Sequence, residues 1–317
     1  MSVYILSIIL LITFFSLVIF IINEPKRSLI NNYSFFQRDT FILINNYFLI
    51  FFLSVVLVGT IYPIILEAIS GKNISVGPVY YNTILTPFLF VFLFFMAHGP
   101  FLNWNKDKKL KNIKIFFLIS LILSSIIIFI FLDYKNIILF LGLMFSIYLT
   151  VSVIFDWILQ KKFYLNLGRL FSHLGFGLLI FFIFINVYSS KEINLAMKVG
   201  EEVKAQDFII KFQGINKIKK DNYDEIFGNF LVSKGNEQIN LTPSIRKYDQ
   251  PVQFTSETSI KTNFFADYYF AINLSEFEKD KIMVRFYYKP FMFWIWFSVL
   301  LIAIGGIYQT FRVKNEY

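Results

Sequence analysis

Apolar positions along the chain follow two rhythms. Runs near 3–23, 44–66, 82–102, 113–132, 136–159, 168–188 and 290–311 are almost unbroken. Each approaches the about 20 residues that a helix needs to cross a hydrocarbon core of about 30 Å. Between the last two runs, over 189–289, the pattern shortens to alternating or apolar stretches at 208–212, 229–232 and 283–288, separated by turn-rich pieces such as Lys234-Gly235-Asn236. The two rhythms predict a polytopic α-helical membrane protein with about seven transmembrane helices and one β-rich extracytoplasmic domain, a small sandwich or barrel, between the last two helices. The expected division is a six-helix bundle over 1–188, a β-rich domain over 189–289, and a last helix with its tail over 290–317. The first run starts without a basic residue and ends without a small-residue cleavage site, so it is expected to be a helix rather than a signal peptide.

Composition sharpens this reading. Hydrophobic residues make up 56% of the chain, charged residues 16%, and 42 residues are Phe, so lipid is the expected main solvent. A net charge of +9 invites a nucleic-acid partner, but the stretch 189–289 holds 15 Lys/Arg against 14 Asp/Glu. The surplus sits instead in short loops beside the apolar runs. Segments 24–43, 103–114, 160–169 and 312–317 contain thirteen Lys or Arg, Arg38, Lys114, Arg169, Arg312 and Lys314 among them, whereas the alternate short loops contain only Lys72 and Lys135. By the positive-inside rule this predicts an external N-terminus, a cytoplasmic C-terminus and a periplasmic 189–289, with no role for nucleic acid. The chain has no Cys, which excludes disulfides, thiolate catalysis and thiolate-bound metals within it.

Few residues are left to carry chemistry. There are two His, and neither a nucleotide-binding Gly-rich loop nor a His-Glu-x-x-His cluster occurs. His173 lies about one and a half turns inside the sixth run, where an imidazole is costly without a partner and tends to mark a ligand, a proton path or a cofactor. Gly168, Ser172 and Gly175 fall on one side of that helix and permit close approach of a neighbour. Gly177 and Arg169 stand one turn after and before His173, leaving room for a flat ligand and a cation for its carboxylate. The plainer alternative is a His near the interface that hydrogen-bonds to an adjacent helix. His98 lies at a similar depth in the third run, which permits a bis-His haem between the two. Gly99-Pro100 ends that helix, however, and a His in a last turn can simply meet the dipole or lipid headgroups. Two external features remain: residues 71–82, rich in Gly, Pro and Tyr, expected to line a groove at the membrane, and the aromatic stretch 285–296, expected to be an interfacial belt.

Several ordered segments carry a family resemblance. Arg38-Asp39-Thr40, Gly59-Thr60-Ile61-Tyr62-Pro63, Ile74-Ser75-Val76-Gly77-Pro78 with Tyr81-Asn82, Gly99-Pro100 with Trp104, Ser172-His173-Leu174-Gly175, and Tyr287-Tyr288-Lys289-Pro290 with Trp294 and Trp296 stand in this order. The run 255–260 and Asp267-Tyr268-Tyr269-Phe270-Ala271 join them inside the domain. The pattern resembles the C-terminal half of the CcmF family, haem lyase subunits of the bacterial cytochrome c maturation system, over roughly residues 38–311. The resemblance implies a part in joining haem to apocytochrome c, with thioether bonds formed between the haem vinyl groups and the thiols of a Cys-x-x-Cys-His motif. It implies a resident haem b with His173 as an axial ligand, Arg169 as a candidate propionate contact, and a transient substrate haem. His98 falls where the resemblance supplies no ligand, and is carried only as a candidate substitute axial ligand.

The implied partners are a periplasmic haem chaperone, apocytochrome c, a thiol-reducing partner, membrane lipid and quinol. The implied location is the bacterial inner membrane, with the mitochondrial inner membrane as the alternative. One departure is large. The family's Trp-rich external segment, its two flanking His and the second ligand of the resident haem are missing. The four Trp are Trp104, Trp157, Trp294 and Trp296, and Asp156-Trp157 stands alone inside a run. The chain is therefore expected to be half of a lyase, inactive alone, with its N-terminal half on a separate chain. A non-catalytic assembly scaffold and a haem transporter subunit are the alternatives.

Overall fold

A computed structural model describes residues 2–23, 35–71, 73–102, 113–131, 136–159, 167–273 and 281–315. The basic loop residues within 24–34, 103–112 and 160–166, together with Lys72, Lys135 and Trp104, lie outside them. The helices are α1 (Ser2–Ile22), α2 (Arg38–Ser70), α3 (Pro78–His98), α4 (Ile113–Phe131), α5 (Ile137–Leu159), α6 (Leu167–Ser189) and α7 (Met292–Asn315). Five of them, α2, α3, α5, α6 and α7, are long and apolar enough to cross a membrane by length and composition. Within the described residues, α1 and α4 hold the shorter apolar stretches Leu10–Ile22 and Lys114–Phe129. Contacts divide the chain into two compact units, one of residues 1–124 with 144–166 and the other of residues 125–143 with 167–317.

In the first unit α2 runs for 33 residues, longer at both ends than its apolar run. The stretch expected to be a groove-lining loop divides: Pro78, suited to the first position of a helix, opens α3, and Tyr80 and Tyr81 belong to its first turn. These two rings pack on Gly59 of α2, where an added Cβ would stand 2.6 Å from the Tyr81 hydroxyl and 2.9 Å from Tyr80. Two of the segments that carry the family resemblance therefore meet in space.

In the second unit the chain passes from α6 into ten strands, counted over the described residues, and out into α7. The strands are β1 (Lys191–Met197), β2 (Glu202–Ala205), β3 (Phe208–Lys219), β4 (Tyr223–Lys234), β5 (Glu237–Leu241), β6 (Ser244–Tyr248), β7 (Gln253–Glu257), β8 (Ser259–Thr262), β9 (Ala266–Asn273) and β10 (Ile282–Pro290). They form two sheets, ordered β1-β10-β9-β8 and β2-β3-β4-β6-β7, with β5 beside β4. All the pairings are antiparallel. The expected small sandwich is thus observed. Its period-two apolar positions turn inward: Phe212 stacks on Phe230 at 4.4 Å, and Phe230 meets Phe270 of the opposite sheet at 4.4 Å. The expected turn at Lys234 is the β4–β5 hairpin, with Gly235 at φ 58°, a conformation that favours glycine.

The sandwich sits directly on the α6–α7 hairpin. Asn186 Nδ2, in the last turn of α6, donates to the Pro290 carbonyl at 2.6 Å, closing the two crossings against each other. Phe291, at φ 59°, makes the corner from β10 to α7; its N–H donates to the Phe265 carbonyl, and its carbonyl accepts from the N–H groups of Trp294 and Ile295. A non-glycine residue in the left-handed region is uncommon, and here its own hydrogen bonds hold it there.

Candidate functional site

The seam between α6 and α7 is built from small residues. Gly305 lies so close to α6 that an added Cβ would contact Ser172 Oγ and stand 2.6 Å from the Gly168 carbonyl. At Gly168 a Cβ would meet the Gly305 carbonyl at 2.9 Å, and at Gly175 the Ser298 carbonyl at 2.8 Å. The spacing of Gly168, Ser172 and Gly175 predicts this close approach, and it is met by small or polar positions on α7. In lipid such contact lets backbones pack where an apolar driving force is missing.

His173 and Arg169 both line an open cleft of about 600 Å³ at this seam. Its other walls are Gly168 and Ser172 of α6 with Gly305, Gly306, Gln309 and Thr310 of α7. The cleft lies at the end of the hairpin remote from the sandwich: Ser189 is sixteen positions after His173, roughly 24 Å of helix. An imidazole and a guanidinium on one glycine-floored cleft suit an iron ligand and a carboxylate contact, and among the described residues no group of three or more His, Cys, Asp or Glu is placed to hold a metal ion. The sequence points to Gly168, Arg169, Ser172 and His173 on the α6 side, but Gly177, expected to leave room for a ligand, is buried and does not line the cleft, and the α7 side was missed. The signal was present: Gly305-Gly306 followed by Gln309-Thr310 interrupts an otherwise apolar run.

His98 belongs to the other unit and is fully buried. Its Nδ1 lies 3.0 Å from the Phe94 carbonyl, and its Nε2 lies 2.9 Å from the hydroxyl of Tyr148 on α5. A carbonyl can only accept, so Nδ1 carries the proton, and Nε2 accepts the tyrosine O–H. The ring is enclosed by Phe94 at 4.6 Å and Tyr148 at 5.4 Å. Both nitrogens are therefore engaged inside the unit, one with the last turn of α3 and one with α5, rather than with the lipid headgroups that the sequence alone suggested.

The sandwich carries its own polar network on one sheet. Glu225 of β4 accepts from Ser244 Oγ at 2.7 Å and from Arg246 Nε at 3.0 Å, both on β6, and Arg246 reaches Glu257 of β7 at 3.7 Å. These donors hold the Glu225 carboxyl below its ordinary value, Ser244 first, and the same pairing pushes the Arg246 guanidinium up. Lys191 does likewise for Asp207, through a hydrogen bond that joins the start of β1 to the β2–β3 turn. A second cleft, of about 360 Å³, opens between the far ends of β3, β4, β6 and β7, with Lys217, Lys219 and Lys247 around Ile226, Ile245 and Phe254.

Comparison with known proteins places this architecture. Residues 188–290 match the family model described as the CcmF C-terminal beta-sandwich. The domain has the fold of a CcmF C-terminal β-sandwich. The similarity extends beyond it. The chain is 28% identical to the cytochrome c-type biogenesis protein CcmF of Escherichia coli K12 over 97% of its own length and 49% of the relative. It is 27% identical to the CcmF of Pseudomonas aeruginosa over 99% of its own length and 50% of the relative. A solved structure named cytochrome c heme lyase CcmF superposes on 87% of the chain and 46% of that protein with a TM-score of 0.69 at 18% identity, which establishes a shared fold. The chain thus spans about half the length of the curated relatives it matches, and that half is the C-terminal one.

Proposed function

We propose that the chain is the C-terminal part of a cytochrome c haem lyase and takes part in covalent attachment of haem to apocytochrome c, together with the portion of the relatives that it does not span. In this reading it is a seven-span protein of the bacterial inner membrane, with the bundle at 1–188, a periplasmic domain at 189–289, and the last helix and cytoplasmic tail at 290–317. The observation that carries it is a CcmF-type sandwich set directly on a helix hairpin whose remote end presents His173 and Arg169 in one cleft.

His173 would hold the iron of a resident haem b, and Arg169, one turn away, would offer its guanidinium to a propionate. Bound there, the haem supplies an iron that exchanges single electrons. The rest is the work of the chain. Gly168, Gly305 and Gly306 keep side-chain bulk out of the cleft, and the α6–α7 seam holds the imidazole in place. The sandwich, roughly 24 Å further along α6, stands on the side where the substrate haem, its chaperone and apocytochrome c meet. His98 keeps its bonds to Phe94 and Tyr148 and serves the packing of its own unit.

The test is cytochrome c maturation in a strain without its lyase, supplied with this chain and the complementary portion. Haem that stays on cytochrome c through denaturing electrophoresis is the readout. His173→Ala is expected to abolish it, whereas His98→Gln leaves it. Maturation that survives His173→Ala but fails when residues 191–289 are removed would replace the lyase reading with a scaffold.

A further inference from the structure

The turn between β8 and β9 exposes two adjacent phenylalanines, Phe264 at 55% and Phe265 at 68%. In a water-facing hairpin this is an unfavourable choice, because turns ordinarily take Gly, Asn, Asp or Ser. The surroundings of the turn explain it. The Phe264 ring lies 4.5 Å from Phe293 and 5.4 Å from Trp294, the second and third residues of α7, and the Phe264 carbonyl accepts from Trp294 Nε1 at 3.1 Å. The turn is therefore level with the first turn of α7. Continuous with it on α7 are further exposed aromatic side chains, Trp296 at 66% and Phe297 at 37%.

Most backbone groups of the turn are also hydrogen-bonded within the chain. Asn263 Oδ1 accepts from the N–H groups of Phe265 and Ala266 at 2.9 and 2.7 Å, and the Asn263 N–H donates to the Ala266 carbonyl at 3.0 Å. The Phe265 carbonyl accepts from the Phe291 N–H at 2.7 Å. With the Phe264 and Phe265 carbonyls and the Asn263, Phe265 and Ala266 N–H groups paired internally, and with apolar side chains, the turn offers less unpaired backbone to a lipid boundary than an ordinary turn does.

We propose that the β8–β9 turn is a lipid-inserting loop: Phe264 and Phe265 enter the headgroup–acyl boundary of the leaflet that α7 enters at Met292. The loop holds the β-sandwich at a fixed pose on the bilayer. The occupant of this exposed patch is lipid because the patch continues the outer face of α7, whose apolar length of 20 residues matches the thickness of a hydrocarbon core. Aromatic rings suit that boundary. The inference rests on the reading that α7 spans the bilayer.

The chain has no Cys, so single-cysteine variants of the full chain take one nitroxide label each. Phe265→Cys reports on the loop, Ile304→Cys on the 41%-exposed middle of α7, and Val252→Cys, 71% exposed in the β6–β7 turn, on water. In liposomes, power saturation with oxygen and with a water-soluble nickel chelate measures which solvent each label meets. The oxygen-to-nickel accessibility ratio is expected to be several-fold higher at Phe265 than at Val252 and to approach that at Ile304. A water-like ratio at Phe265 beside a lipid-like Ile304 would overturn the loop insertion alone. So would a Phe265 label shielded from both agents, which would mean protein contact. A water-like Ile304 would overturn the spanning reading and the insertion with it.

Discussion

A ring nitrogen that already holds a hydrogen bond inside an apolar bundle has to give it up before it can bind iron, and Tyr148 puts His98 in that position. Tyr148→Phe keeps the packing with Phe94 and Phe116 but strands the His98 nitrogen. A buried acceptor left unsatisfied costs about 1–3 kcal/mol. The expected result is a lower melting temperature of the detergent-solubilised chain, with no change in haem content; a loss of haem would move His98 into the cofactor site. Both imidazoles were visible in the sequence as rare polar groups in apolar runs. Their different surroundings were not, because Tyr148 lies 50 residues away and nothing in its own neighbourhood distinguishes it from the other tyrosines. His173 was singled out by local information that a sequence carries, and Arg169, one turn before it, shares its cleft whereas Gly177, one turn after it, does not.

Local periodicity also accounts for the legible part of the elements. Inward-facing Phe208, Ile210 and Phe212 on β3, and Phe230 and Val232 on β4, follow the alternation that predicts strands, and all are buried. The order of strands across the two sheets was not legible, since β1 pairs with β10 over nearly the whole length of the domain. At the α6–α7 seam the sequence marked one wall and left the other unread. The two adjacent glycines of α7 provide a sharp test. Gly305→Ala drives a methyl group into the Gly168 carbonyl and Ser172, whereas an added Cβ at Gly306 meets nothing within 4 Å. Overpacking of this kind costs about 1–3 kcal/mol, so Gly305→Ala is expected to melt earlier and Gly306→Ala to melt as the parent does. Equal melting of both would contradict the seam.

The sandwich has a pH dependence of its own. Glu225 has its folded carboxyl held below the ordinary 4.5 by Ser244 and Arg246. A lowered folded value means that its contribution is complete above the ordinary value and is lost as the pH falls through the folded one. Acid unfolding of the sandwich, followed by tyrosine near-ultraviolet dichroism, is therefore expected to lose part of its dependence below pH 4.5 in Glu225→Gln. An unchanged acid profile would show that the network contributes nothing measurable.

At the scale of the whole molecule, apolar runs broken by a β-patterned insert were enough to predict a membrane bundle with one β-rich domain, and the CcmF-type sandwich over 188–290 bears out the β-rich domain. The division into two compact units, and the choice of α7 as the helix that meets the small-residue side of α6, lay beyond sequence reading, because they depend on which helices pack together. The proposal divides the work along α6 and α7: electron exchange at the His173 end, and assembly of haem with apocytochrome at the sandwich. Its central claim is that His173 binds iron. The most direct measurement is the optical and paramagnetic resonance spectrum of haem in the purified complex of this chain with the complementary portion. The account predicts a low-spin b-type spectrum that His173→Ala converts to high-spin or removes, while His98→Gln leaves it intact. An unaltered low-spin spectrum in His173→Ala would contradict it.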